Sequence, residues 1–281
     1  MEIIQNPSVM QDRALKLRRK GRTIGFVPTM GYLHEGHLSL MRTAREKCDV
    51  LVVSIFVNPS QFGPNEDLDA YPRDFERDEA MCRDEGVDIV FYPEPGTMYP
   101  ANASVWVDET TLSKVLCGAS RPGHFRGVCT VVAKLFNLVQ PDLAVFGEKD
   151  AQQLRIIERM VRDLNFPVQI IRGPIVREAD GLAMSSRNKY LSDSQRTDAL
   201  CLQRALGRAK ELVRDGERSA MVIRRAMCDL IDQVPGAIID YIEFVDDERL
   251  EPVDRLEGAT LVALAVKFGA IRLIDNSILE V

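Results

Sequence analysis

The chain has 281 residues, 46% hydrophobic and 28% charged, with a formal net charge of -6. That length supports two modest cores rather than one minimal domain, and the negative balance disfavours nucleic acid and anionic membrane surfaces as partners. Six cysteines without a closely spaced zinc or redox pair, no basic leader at Met1 to Pro7, and no run near the ~20 apolar residues of a membrane span lead us to expect a cytoplasmic chain with unpaired core thiols.

In chain order, short apolar and β-branched runs predict strands over 24–27, 50–57, 89–92, 143–146 and 168–171. Helical patterns lie between them, over 38–47, over 127–139 and around Leu154, Ile157, Met160, Val161 and Leu164, where apolar residues recur three or four apart. Strands alternating with helices predict a doubly wound, Rossmann-like parallel sheet of the α/β class. Its ligands bind beyond the carboxyl ends of the strands. After about residue 174 the pattern changes to a loop, a long helix over 192–214 and a second helix over 219–234. Three strand-like runs follow, over 238–245, 260–266 and 271–274, the last two joined by a turn at 267–270. The expected division is 1–175 for the Rossmann-like domain and 176–281 for a smaller α+β domain that covers the site.

Four constellations follow strand ends or open the second part. The first runs from Pro28 to His37, with His34 and His37 bracketing a helix entrance and Gly36 beside them. Orphan amides and the helix dipole favour anions there, Gly36 lets a phosphate approach the backbone, and imidazoles donate to phosphoryl oxygens. The same residues also suit a surface pair at a helix start. With His124 in the Arg121-Pro122-Gly123-His124 loop and added carboxylates, they suit a zinc site.

The second constellation is Gly147-Glu148-Lys149-Asp150, after the 143–146 strand. Gly147 suits a nucleotide lying on the backbone, Asp150 a ribose and Lys149 a phosphate; an ordinary acidic helix start fits equally. The third, Met184-Ser185-Ser186-Arg187-Asn188, groups two hydroxyls with a planar guanidinium fork, a set that serves either a triphosphate or plain turn chemistry. The fourth, Phe56 to Phe62, places Asn58 and Gln61 beside aromatic rings, and Gln153 lies on the helix after the lysine motif. Neutral amides of this kind hydrogen-bond a small hydroxylated acid or simply occupy turns and helix surfaces. The acidic, turn-rich segment 63–69 is expected to cover the cleft.

Together these motifs resemble the nucleotidyltransferase superfamily with its histidine-x-glycine-histidine signature, and within it the pantothenate synthetase family. The matching segments are Pro28-Thr29-Met30-Gly31 into His34-Glu35-Gly36-His37, Phe56-Val57-Asn58-Pro59-Ser60-Gln61-Phe62, Gly147-Glu148-Lys149-Asp150 and Met184-Ser185-Ser186-Arg187-Asn188. The resemblance covers nearly the whole chain and is weaker beyond residue 191. It implies an ATP-dependent ligase that joins pantoate to beta-alanine through a pantoyl adenylate, giving pantothenate, AMP and pyrophosphate.

The resemblance also implies residue roles. ATP would be bound by Met30, Gly31, Tyr32, Leu33, His34, Glu35, Gly36 and His37, by Gly147, Glu148, Lys149 and Asp150, and by Val176, Met184, Ser185, Ser186 and Arg187. His37, His34, Lys149, Ser186 and Arg187 would be catalytic, with His37 the principal histidine. Gln61 and Gln153 would hold pantoate, Gln61 would also lie near the beta-alanine site, and Asn58 would support that pocket. ATP-bound magnesium and a homodimer are further implications; protein ligands for the metal are not implied. Two rivals remain at this stage: an enzyme that moves AMP onto a phosphate monoester, with no need for Gln61 and Gln153, and a non-catalytic nucleotide-binding module.

Overall fold

The computed structural model describes residues 1–64 and 66–281. In chain order the elements are β1 (Glu2–Ile4), α1 (Pro7–Arg19), β2 (Ile24–Thr29), α2 (Glu35–Arg45), β3 (Val50–Ile55), α3 (Phe75–Asp84), β4 (Ile89–Phe91), α4 (Pro95–Met98) and α5 (Leu116–Ser120). They continue with α6 (His124–Val139), β5 (Leu143–Gly147), α7 (Ala151–Asp163), β6 (Gln169–Gly173), α8 (Asp193–Asp198), α9 (Cys201–Arg214), α10 (Ala220–Ile231), β7 (Ala237–Asp246), β8 (Thr260–Phe268) and β9 (Ile271–Leu279).

Six strands form one parallel sheet in the order β1-β4-β3-β2-β5-β6. Alternation of side chains along each strand explains the double winding. Phe26, Val52, Ile89, Phe91, Ala144 and Phe146 face a core shared with α1, α6 and α7. Their neighbours Val27, Leu51, Val53, Val90, Leu143 and Val145 face α2 and α3. Because both faces are covered, the strands read as continuous apolar runs, which is why they were legible. From β2 the chain proceeds to β3 and β4 on one side, and β5 and β6 lie on the other. The carboxyl ends of β2 and β5 therefore flank the topological switch point, where such sheets bind ligands.

The second sheet is antiparallel, β7-β8-β9. On β8, Leu261 and Ala263 join the core of the large sheet, whereas Val262, Leu264 and Val266 pack with α9 and α10. The small sheet is thus wedged between the large unit and its own two helices. Both strand parities are buried, so each contributes to a different core.

Several boundaries differ from the sequence expectation. Helix α2 starts at Glu35 rather than 38 because His34 already caps it. The helix expected over 192–214 is two, α8 and α9. Between them Leu200 N–H bonds Thr197 C=O at 3.3 Å and Leu202 N–H bonds Ala199 C=O at 3.2 Å, tightening one turn to three-residue spacing without a glycine or proline to announce it. The β8–β9 hairpin turns on Gly269 and Ala270 alone, since Phe268 pairs with Ile271. Strand β1 and helices α1, α3, α4 and α5 were not anticipated, although Asn6 does cap α1 with Pro7 at its first turn.

Candidate active site

The turn from β2 into α2 is built by reciprocal capping. His34 is the residue before the helix; its Nδ1 accepts from Gly36 N–H at 3.1 Å, and its own N–H donates to His37 Nδ1 at 3.3 Å. With both Nδ1 atoms accepting, the ring proton of each histidine sits on Nε2, and the two Nε2–H groups are left as donors. The rings lie 4.1 Å apart between centroids. Burial, then the Lys149 ammonium, lower His34 to about 4; burial, His34 and Lys149 hold His37 well below the usual 6.5. Near neutral pH both are uncharged hydrogen-bond donors.

Gly36 also serves the turn itself. A Cβ there would lie 2.9 Å from His34 Cε1 and Nδ1, so glycine lets the imidazole fold over the helix start. The preceding turn is held by a residue the sequence did not single out. Asp78 on α3, 1% exposed, accepts from Tyr32 N–H and Leu33 N–H at 2.7 Å each.

A cleft of about 1430 Å³, counting its open mouth, lies at this switch point. Met30, Gly36, His34 and His37 line it beside Gly147, Lys149, Asp150 and Gln153 from the β5–α7 connection, and Val176, Met184, Ser185, Ser186 and Arg187 from the later loop. Asn58 and Gln61 complete one wall. Some expected residues contribute otherwise. Leu33 is a fully buried core side chain, and Glu35 pairs with Arg42 at 2.5 Å on the outer side of α2. Gly31 and Tyr32 line a separate cavity, Lys189 Nζ lies 4.0 Å over the Tyr32 ring, and the Glu148 side chain does not line the cleft.

The amide wall is fully wired. Asn58, 1% exposed, donates to Gln61 Oε1 at 3.0 Å and to Gly127 C=O at 3.2 Å, while its own oxygen accepts from the Ser60 hydroxyl at 2.8 Å. Fixing the Gln61 oxygen turns its amide nitrogen toward Met30 Sδ, 3.1 Å away, a weak acceptor that a hydroxyl or carboxylate readily replaces. The fit depends on Gly127, where a Cβ would stand 2.3 Å from Ser60 C=O. The Asn58 amide is thus engaged by Gln61, Gly127 and Ser60 within the wall.

His124 donates from Nδ1 to Gln61 C=O at 2.8 Å and accepts at Nε2 from Arg121 at 3.0 Å, and burial and Arg121 lower it to about 4. Both ring nitrogens are engaged within the protein. Among the described residues no three His, Cys, Asp or Glu side chains gather as a metal site.

The loop after residue 174 folds back on itself through Met184 N–H to Val176 C=O at 3.0 Å, and Ser186 Oγ donates to Tyr32 C=O at 3.1 Å, so Ser186 docks on the β2–α2 turn. The Arg187 fork, expected for phosphate, is occupied: Nε and Nη2 donate to Asp67 at 3.0 and 2.9 Å. Arg121 is held the same way by Glu66 at 2.6 and 2.7 Å, and Arg121 holds the Glu66 carboxyl down to about 2. The acidic segment therefore reaches the cleft and ties up two of its guanidinium groups; Asn65, also in the expected cover, lies outside the described residues.

These features match known proteins. The profile of the family described as pantoate-beta-alanine ligase matches residues 2–278. A pantothenate synthetase of Thermosipho melanesiensis is 58% identical over 278 residues, 99% of each chain. The crystal structure of pantothenate synthetase from Thermus thermophilus superposes with a TM-score of 0.93 at 46% identity, covering 99% of both chains. The pantoate-beta-alanine ligase of Francisella tularensis, solved in complex with beta-gamma ATP and beta-alanine, gives a TM-score of 0.78 at 33% identity over 99% of this chain and 97% of that one.

Proposed function

The chain belongs to the pantoate-beta-alanine ligase family and is an enzyme of pantothenate formation, and on that premise we propose how its cleft performs the reaction. ATP lies across the switch point, with its phosphates toward the start of α2, Lys149 and the Ser185-Ser186-Arg187 loop, and its ribose toward Asp150. Pantoate lies between Gln61 and Gln153. A pantoate carboxylate oxygen attacks the α phosphorus, the bond from that phosphorus to the bridging oxygen breaks, and pyrophosphate leaves with the electron pair. The neutral amine of beta-alanine then attacks the acyl carbon of the adenylate; the bond to the AMP oxygen breaks, and the amine sheds its proton.

The observation that best supports this reading is the pair of neutral Nε2–H donors on His34 and His37 beside the Lys149 ammonium. Negative charge gathers on the departing pyrophosphate, and a preorganised cation with two uncharged donors stabilises it without a proton having to move first. Two imidazolium rings 4.1 Å apart would repel each other, which the low pKa values avoid.

Asp67 and Glu66 deepen the proposal. Triphosphate oxygens compete for the forks of Arg187 and Arg121, so nucleotide binding exchanges carboxylate for phosphate and repositions the acidic segment as a cover. Magnesium, if carried in by the nucleotide, would neutralise phosphate charge beside Lys149 and the Ser185-Ser186-Arg187 loop.

We assign the division near residue 175, the homodimer and a cytoplasmic location as parts of the same reading. Six free cysteines suit a reducing compartment, and no described helix is long and apolar enough to cross a membrane. Closed two-fold dimers are the commonest soluble oligomers. The test of the first half-reaction is exchange of labelled pyrophosphate into ATP. It requires pantoate and no beta-alanine; exchange that ignores pantoate, or none at all, overturns the adenylate.

A further inference from the structure

Two of the segments that line the cleft must hold a fixed distance: the Gly147 to Asp150 turn of the large sheet and the Met184 to Arg187 loop. Each also has a brace from far along the chain. Both are reached by one dipeptide on the edge strand β9, Asp275-Asn276, more than a hundred residues from the lysine turn. Successive side chains on a strand point to opposite faces. On β9 the even positions Ile274 and Ile278 pack on the large unit's core, and the odd positions Leu273 and Leu279 pack into the small unit. Asn276 has the first parity and Asp275 the second.

Asn276, 6% exposed, donates its side-chain nitrogen to Glu148 C=O and Lys149 C=O, both at 2.9 Å. These carbonyls belong to the 3-10 turn before α7 that carries the Lys149 ammonium. Asp275, 2% exposed, receives Arg177 in a bidentate pair at 2.6 and 2.9 Å and also accepts Asn276 N–H at 2.8 Å. Arg177 in turn donates to Gly181 C=O at 3.0 Å and pairs across to Ala183, closing the base of the excursion whose next residues are Met184 to Arg187. One amide therefore sets the lysine turn, and the adjacent carboxylate sets the serine-arginine loop.

We infer that Asp275 and Asn276 are positioning residues for the adenylation step, a single buried clip on β9 that fixes Lys149 relative to Ser185, Ser186 and Arg187. The inference rests on the reading of this cleft as the adenylation site. Neither residue touches the reacting atoms. Their effect passes through the backbone of two segments that must meet the triphosphate in register, where a displacement near 1 Å costs about 100-fold in rate. Polarity, not size, is what the site requires of Asn276: a carboxylate of the same shape would face two carbonyl oxygens with no proton to offer.

The variants are Asn276→Asp, Asn276→Ala and Asp275→Asn, with Arg177→Gln and the Asp275→Asn/Arg177→Gln double variant. They are assayed as full-length protein for pantoate-dependent pyrophosphate release, with thermal unfolding to establish the folded fraction. Backbone hydrogen exchange is followed in the ligand-free chain.

Asn276→Asp should lower kcat about 10- to 100-fold per folded molecule, leave the KM for pantoate within about twofold, and speed exchange at Glu148 to Ala151 while α9 and α10 stay protected. Asp275→Asn should speed exchange over 177–187 instead, and the double variant should be no worse than the poorer single one. Unchanged kcat in folded Asn276→Asp and Asn276→Ala, or unchanged exchange at the lysine turn, overturns the clip. Activity that falls only with the folded fraction also overturns it. If the unsubstituted chain releases no pyrophosphate with pantoate, the functional reading fails, and the exchange data still decide whether the clip orders these segments.

Discussion

Asp78 offers the sharpest link between one buried group and the histidine turn. Its carboxylate is the only acceptor found for Tyr32 N–H and Leu33 N–H among the described residues, at 2.7 Å each, and it is 1% exposed. Asp78→Ala strands two donors in a buried site. Charge-assisted bonds of this kind are worth about 1.5–3 kcal/mol each. Burial raises the carboxyl above its ordinary value while the two amides pull it down, so the cost of burying the charge offsets part of that worth. The net expectation is a loss of about 2–4 kcal/mol. Asp78→Asn keeps the shape but turns an NH2 toward one donor, for about 2 kcal/mol.

The assay is urea unfolding followed by far-ultraviolet circular dichroism, paired with pyrophosphate release per folded molecule. Because the turn sets where His34 begins α2, kcat should also fall at least about 10-fold in Asp78→Ala. A variant within about 0.5 kcal/mol of the parent chain, the usual range for neutral changes, and with kcat within about twofold would refute the reasoning.

Other consequences follow from the same geometry. His37→Ala and Lys149→Ala should each abolish adenylate formation in the assay while the chain stays folded; for His37→Ala, loss of the cap on His34 N–H costs about 1 kcal/mol at most. Asp67→Asn releases the Arg187 fork and should lower the KM for ATP up to about 5-fold, as expected for a partly exposed pair worth about 1 kcal/mol; a raised KM would instead make Asp67 a guide for the arginine. Proteolysis within 63–69 should slow when ATP and pantoate bind, and unchanged cleavage would remove the cover. His34 and His124 sit at about 4 in the folded chain against 6.5 when unperturbed, so the unfolded chain binds more protons between those values. Their contribution to stability is complete above about pH 6.5 and is lost as pH falls toward 4, which urea midpoints at about pH 7.5, 6 and 5 would reveal as a steady decline.

Much of this was readable from residues alone, for physical reasons that differ by element. The strands around Val27, Val53 and Val145 were legible because both sheet faces are buried and no charged residue interrupts them. The motif residues were legible because ligand sites at a switch point follow strand ends directly, as Gly147 to Asp150 do. Helix α3 was not, since it buries only Asp78 and Cys82 and has hardly any apolar stripe to detect. Its one informative residue reads as a charged surface position until the fold places it under Tyr32. Likewise Asp67, Glu66 and Asn276 act on partners 55 to 128 residues away, at distances no local spacing encodes. For Gly36 the pattern marked a small residue, but only the folded turn shows His34 lying over it.

The central claim is that this cleft adenylates pantoate and passes the acyl group to beta-alanine. The direct measurement follows pyrophosphate from ATP and magnesium with and without pantoate, then AMP and pantothenate after beta-alanine is added. The account predicts pyrophosphate release only with pantoate, and AMP and pantothenate in equal amounts once the amine is present. ATP binding without pyrophosphate release for pantoate would contradict it.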